Sequence, residues 1–116
     1  MSTRLASGLV VNALVRRAGA AGGVATVLAK GDADAGAILI VTMERGRDER
    51  LWERGYGPDG KPVLVAAGPQ DAAGPQDPAG IADYWQRRRA QDRDLWVIEL
   101  DIASGERFAA ETICGD

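Results

Sequence analysis

A chain of 116 residues, 46% of them apolar, has the size of one compact domain and can bury a core without a disulfide or a metal to staple it. Its 14 basic and 17 acidic residues leave a net charge of −3, which opposes general attraction to phosphate backbones and disfavours nucleic acid as a partner. There is no histidine and a single cysteine, Cys114, which excludes histidine-dependent nucleophile pairs, imidazole-ligated zinc or iron, a thiolate cage and an internal disulfide.

The opening stretch has neither the clean apolar run and cleavage site of a signal peptide nor the roughly 20 apolar residues of a membrane span. Asn12 interrupts it, and Arg16 and Arg17 stop it. The expected setting is the cytoplasm, with no membrane partner, and a lone cysteine fits a reducing compartment. From Leu9 to Ala21 the residues Val10, Val11, Leu14, Val15, Ala18 and Ala21 recur at helical steps, which predicts an amphipathic helix. Ser7 or Gly8 is placed to cap its start, and Gly22-Gly23 to end it in a left-handed conformation. Arg16 and Arg17 suit the negative end of the helix dipole.

Residues 24–31, VATVLAKG, are rich in β-branched side chains, and residues 35–46, AGAILIVTMERG, hold a continuous apolar run. They read as strand, turn, strand. A third run at 49–57 alternates Leu51, Glu53 and Gly55 with Trp52, Arg54 and Tyr56, and is expected to complete an antiparallel meander. Residues 57–62, GPDGKP, are loop, and 63–67, VLVAA, are an edge strand or a brief extended segment because of the flanking prolines. A six-residue unit starting GPQD then occurs twice, making a Pro/Gly-rich loop at about 68–80.

Asp77 is placed as an N-cap with Pro78 first in a helix through Gln91, whose inner stripe is Ile81, Tyr84, Trp85 and Arg88. Asp83 stands one turn before Arg87. Residues 94–102, DLWVIELDI, make the clearest strand, and 106–114, ERFAAETIC, are expected to return as its hairpin partner after the turn Ala103-Ser104-Gly105. The outline is a single α+β domain, a mainly antiparallel sheet of about five to six strands with two helices packed on one face.

Two segments, residues 13–39 and the stretch DRDLWVIEL at 92–100, resemble a family of small bacterial proteins catalogued as domain of unknown function 1491. The most specific parts are Arg16-Arg17, the segment Gly31-Asp32-x-Asp34-Ala35-Gly36-Ala37, and Asp94-Leu95-Trp96-Val97. The resemblance covers most of the chain, the duplicated loop being peculiar to it. It implies a small α+β domain with no established activity, cofactor or catalytic residues.

The residues themselves offer three candidate sites. Asp32 and Asp34 are candidate metal ligands, but the first, third, fifth, sixth and twelfth positions of a calcium loop would fall on Asp32, Asp34, Gly36, Ala37 and Met43, so that motif fails. A bend in which aspartate satisfies turn amides and glycine supplies positive φ explains them more simply. Arg16, Arg17, Arg87, Arg88 and Arg89 stand at two helix ends and would form an anion patch if both helices shared a sheet face. Trp52 and Arg54 are candidates for a contact surface, since tryptophan and arginine are enriched where partners dock. No catalytic residue and no cofactor is expected. The leading expectation is a non-enzymatic interaction domain, with a protein partner or a second copy bound at an exposed strand edge. The alternatives are a carboxylate-based metal-dependent enzyme or small-ligand binder at the 31–36 turn, and an anion or RNA binder using the arginines.

Overall fold

The computed structural model describes residues 6–68 and 77–114. Along them run α1 (Ser7–Ala20), β1 (Val24–Ala29), β2 (Ile38–Glu44), β3 (Arg47–Tyr56), β4 (Pro62–Ala66), α2 (Pro78–Gln91), β5 (Trp96–Asp101) and α3 (Gly105–Ile113). The five strands form one sheet in the order β1-β5-β2-β3-β4. Neighbours are antiparallel except β2 and β5, which run parallel. The α+β class and the mainly antiparallel sheet expected from the sequence are both present.

The apolar run of β2 dictates the layers. Residues 38–43 are all buried. Ile38 and Ile40 join Val10, Leu14, Ile98 and Leu100 in one core, whereas Leu39, Val41 and Met43 join Leu51, Ile81 and Val97 in a second. A strand that is apolar on both sides needs a covering layer on each. Accordingly α1 and α3 cover the first face and α2 the second, so the expected pair of helices on one face becomes three helices split between two faces. Each large aliphatic side chain buried here contributes about 1.5–3 kcal/mol.

That same demand explains two further differences. The segment 106–114, expected as a strand, is α3. Strand β5 already has β1 on one side and β2 on the other, so no edge is left for a hairpin partner. Ala109 and Ile113, one helical turn apart, are buried against the first core instead. Ser104 makes the bend at φ +53°. The expected meander also moves: β5 lies between β1 and β2, so the consecutive antiparallel strands are β2, β3 and β4, with β4 at the edge.

Helix ends follow local chemistry. Gly22, at φ +86°, closes α1. Ser7 is not its cap: Ala6 precedes the helix without a side-chain bond, and the buried Ser7 hydroxyl donates to the Gly36 carbonyl at 2.6 Å. Asp77 does cap α2, accepting from the Gly80 amide at 3.3 Å, with Pro78 leading the helix. Most of the duplicated loop, residues 69–76, lies outside the described residues.

Candidate functional site

The Gly31–Gly36 segment is a joint between three elements. The Asp32 carboxylate accepts from its own turn, from the Asp34 amide at 3.2 Å and the Ala35 amide at 2.8 Å. Its backbone amide donates to the Asp94 carbonyl at 3.0 Å, and its carbonyl accepts from the Trp96 indole at 2.7 Å. The amides of Ser7 and Gly8 donate to the carbonyls of Asp34 and Ala33, so the turn's backbone satisfies the start of α1 in place of a side-chain cap. Gly31 and Gly36 both lie against the Asp94 carbonyl oxygen, with which a Cβ at either position would collide. Their role is close approach, not the positive φ expected of them. Among the described residues no three acidic or cysteine side chains are grouped to hold a metal ion.

The five arginines do not meet, because α1 and α2 occupy opposite faces of the sheet. Arg17 ties α1 to α3: it donates to Thr112 Oγ1 at 2.8 Å, lies 4.0 Å from Glu111 and sits over the Phe108 ring. Arg87 pairs with Asp83 at 3.2 Å. Arg88 holds Glu53 through two bonds of 2.8 and 3.0 Å and also donates to the Tyr84 hydroxyl. The Glu53 hydrogen bonds, above all, hold the Arg88 guanidinium more firmly protonated than usual. Arg89 donates to the carbonyls of Arg93 and Leu95. Arg16 remains exposed on α1. The expected common anion patch is therefore dispersed, and Arg17 and Arg88 fix their helices to neighbouring elements.

Trp52 and Arg54 are both only half-exposed. The Trp52 indole donates to the buried Thr42 hydroxyl at 2.8 Å and packs against the first core. It forms one wall of an open pocket of about 270 Å³ whose rim carries Glu44, Asp48, Arg50 and Glu106. This pocket lies at the carboxyl ends of the parallel strands β2 and β5, beside the start of α3. Arg50, two residues before Trp52 and so on the same side, is the charged group that alternation would have indicated.

Two acids not singled out from the sequence have defined places. Asp101, ending β5, accepts from the Arg45 and Gly46 amides at 2.7 and 2.9 Å and so fixes the β2–β3 turn. Glu49 on β3 has one carboxylate oxygen buried without a hydrogen-bond partner among the described residues. Burial pushes its carboxyl above the ordinary range, and the Glu99 and Asp77 carboxylates add to that.

At the sheet's ends, β1 and β4 each have one hydrogen-bonded neighbour. Val24 is 62% exposed, Val27 42% and Leu28 36%. On the opposite edge Val63 and Val65 are also exposed.

The chain has clear relatives. A family model described as "Protein of unknown function (DUF1491)" matches residues 5–110. A crystal structure of a DUF1491 family protein from Caulobacter crescentus CB15 is 33% identical, with a TM-score of 0.74 over 90% of this chain and 94% of that one. An NMR structure of a DUF1491 family protein from the same organism is 32% identical, with a TM-score of 0.73, covering 92% and 94%. The solution structure of protein Atu0922 from A. tumefaciens is 29% identical, with a TM-score of 0.69, covering 97% and 93%. No curated protein matches the chain.

Proposed function

The chain belongs to the DUF1491 family of proteins of unknown function, and from that premise we propose that it is a non-enzymatic interaction domain of the bacterial cytoplasm which pairs with a second copy of itself along β1. The observation that carries this is the outer edge of β1. Edge strands ordinarily carry a charge or a proline that blocks pairing with another chain. Val24–Ala29 has neither, and it exposes Val24, Val27 and Leu28, whereas β4 at the other edge begins with Pro62. A register shift follows Val27, so Val24–Val27 is the regular part available to a partner. Antiparallel pairing of two such strands about a two-fold axis makes the contact self-complementary and joins the two sheets. The bacterial setting rests on the organisms of the similar structures, and the cytoplasmic one on the lone cysteine.

Neither alternative site has comparable support. The Asp32 carboxylate is occupied by its own turn amides, and the arginines are distributed over two faces. Light scattering coupled to size exclusion tests the proposal. The chain is expected to run as a dimer, and the Val24→Lys/Val27→Lys variant, changed only at exposed positions, as a folded monomer. A wild-type mass of one chain at every concentration, or an unchanged dimer in the double variant, overturns it.

A further inference from the structure

The pocket beside α3 sits on the first face of the sheet, where strand register brings its polar groups together. Thr42 of β2 stands directly opposite Arg50 of β3, a pairing that holds the two Cβ atoms about 4.5–5.5 Å apart, and Trp52 stands opposite Ile40 of the first core. Helix α3 starts against Thr42 itself: a Cβ at Gly105 would lie 3.2 Å from Thr42 Cγ2. The helix therefore closes one side of the pocket, while the half-buried Trp52 makes the wall on β3. None of the lining residues belongs to β1, so this site is separate from the pairing edge.

Two observations mark it as a ligand site. Thr42 is only 6% exposed, and its hydroxyl accepts from the Trp52 indole, so its own hydrogen is left to donate and finds no acceptor among the described residues. Around it stand Arg50, Glu44, Asp48 and Glu106, all exposed and none in an ion pair or a side-chain hydrogen bond among the described residues. One basic and three acidic groups thus line the same pocket without neutralising one another. Such a lining matches a ligand with one anionic head and more than one cationic group. The volume of about 270 Å³ is just below the roughly 300–1,000 Å³ usual for ligand sites, which limits the occupant to the size of an amino acid.

We propose that this pocket binds a free basic amino acid, for which lysine serves as the probe. The ligand carboxylate accepts from Arg50 and from the Thr42 hydroxyl, which gives the buried hydrogen its partner. The two ammonium groups are held by Glu44, Asp48 and Glu106, and the aliphatic stem lies against Trp52, whose ring face also attracts a cation. An acidic amino acid would meet three carboxylates with only one arginine to offset them, so the site discriminates by charge.

Isothermal titration calorimetry of the full chain with L-lysine at low ionic strength tests this. Saturable binding is expected, with L-norleucine, which lacks the distal ammonium, and cadaverine, which lacks the carboxylate, each about ten-fold or more weaker. Arg50→Gln, changed at an exposed position, is expected to weaken lysine binding by about the same factor and cadaverine binding not at all. Asp48→Asn, whose side chain tolerates the φ of +60° at that position, is expected to weaken both. Absence of saturable lysine binding, norleucine bound as tightly as lysine, or lysine affinity undiminished in Arg50→Gln overturns the proposal.

Discussion

Trp96 and Asp32, 64 residues apart, are joined by a 2.7 Å hydrogen bond in which the indole donates to a backbone carbonyl. That bond fixes the start of β5 to the turn between β1 and β2. The turn in turn receives the first amides of α1. Three segments distant in sequence are thus fixed at one joint, and the backbone, not the acidic side chains, does most of the bonding.

Substitution at this joint should separate shape from charge. In Gly36→Ala the new methyl group meets the Asp94 carbonyl oxygen and the backbone of Asp32, which cannot rotate away as a side chain can. A loss of about 1–3 kcal/mol, the range for overpacking, is expected in urea unfolding. Asp32→Asn keeps an acceptor for the two turn amides and should change stability by no more than about 0.5 kcal/mol. A Gly36→Ala variant as stable as wild type would show that the turn is not held as tightly as its contacts indicate.

How much of this was legible in the sequence depends on whether the cause was local. Asp77-Pro78 announced the start of α2 because cap and first-turn chemistry lie within a few residues. The run through β2 announced a buried strand, but a buried strand implies layers on both faces, and that implication places α2 opposite α1. The 106–114 segment reads as a strand because the nine residues of α3 are few and end in β-branched Thr112 and Ile113. What decided it was the occupancy of both edges of β5, a topological fact that no short window contains. At the candidate site, Arg16 to Arg17 and Arg87 to Arg89 were visible as charge clusters. Their partners Glu53, Thr112 and the Leu95 carbonyl were not, since each lies on another element or beyond the helix end.

The Arg88–Glu53 pair fastens α2 to β3 and gives a second prediction. Both side chains are 26% exposed, so the usual 1.5–3 kcal/mol for hydrogen bonds to a charged group is reduced by solvent screening to about 1 kcal/mol. Arg88→Met keeps much of the aliphatic packing over Tyr84 and should lose about that amount, as should Glu53→Gln. Because the two remove one interaction, the double variant should cost clearly less than the sum of the singles. Additive losses in a double-mutant cycle would mean that the pair, despite its geometry, does not hold the helix.

Glu49 gives the last prediction, for global stability. Its carboxyl is raised above the ordinary value in the folded chain, first by burial and then by Glu99 and Asp77. The folded state therefore binds a proton more tightly than the unfolded state, and stability contributed by this group is fully present below the unfolded value and is lost as pH rises through the folded one. Other carboxylates impose their own dependence, so the informative quantity is the difference between wild type and Glu49→Gln. Above the raised value Glu49→Gln should be the more stable of the two, because its neutral amide is not repelled by Glu99 and Asp77. The gap should close as pH falls through the window between the raised folded value and the ordinary glutamate range. Paired urea titrations along a pH series measure this; a gap that stays constant would mean that Glu49 is solvated in the folded chain as in the unfolded one, and a gap that widens toward acid that the fold favours its ionised form.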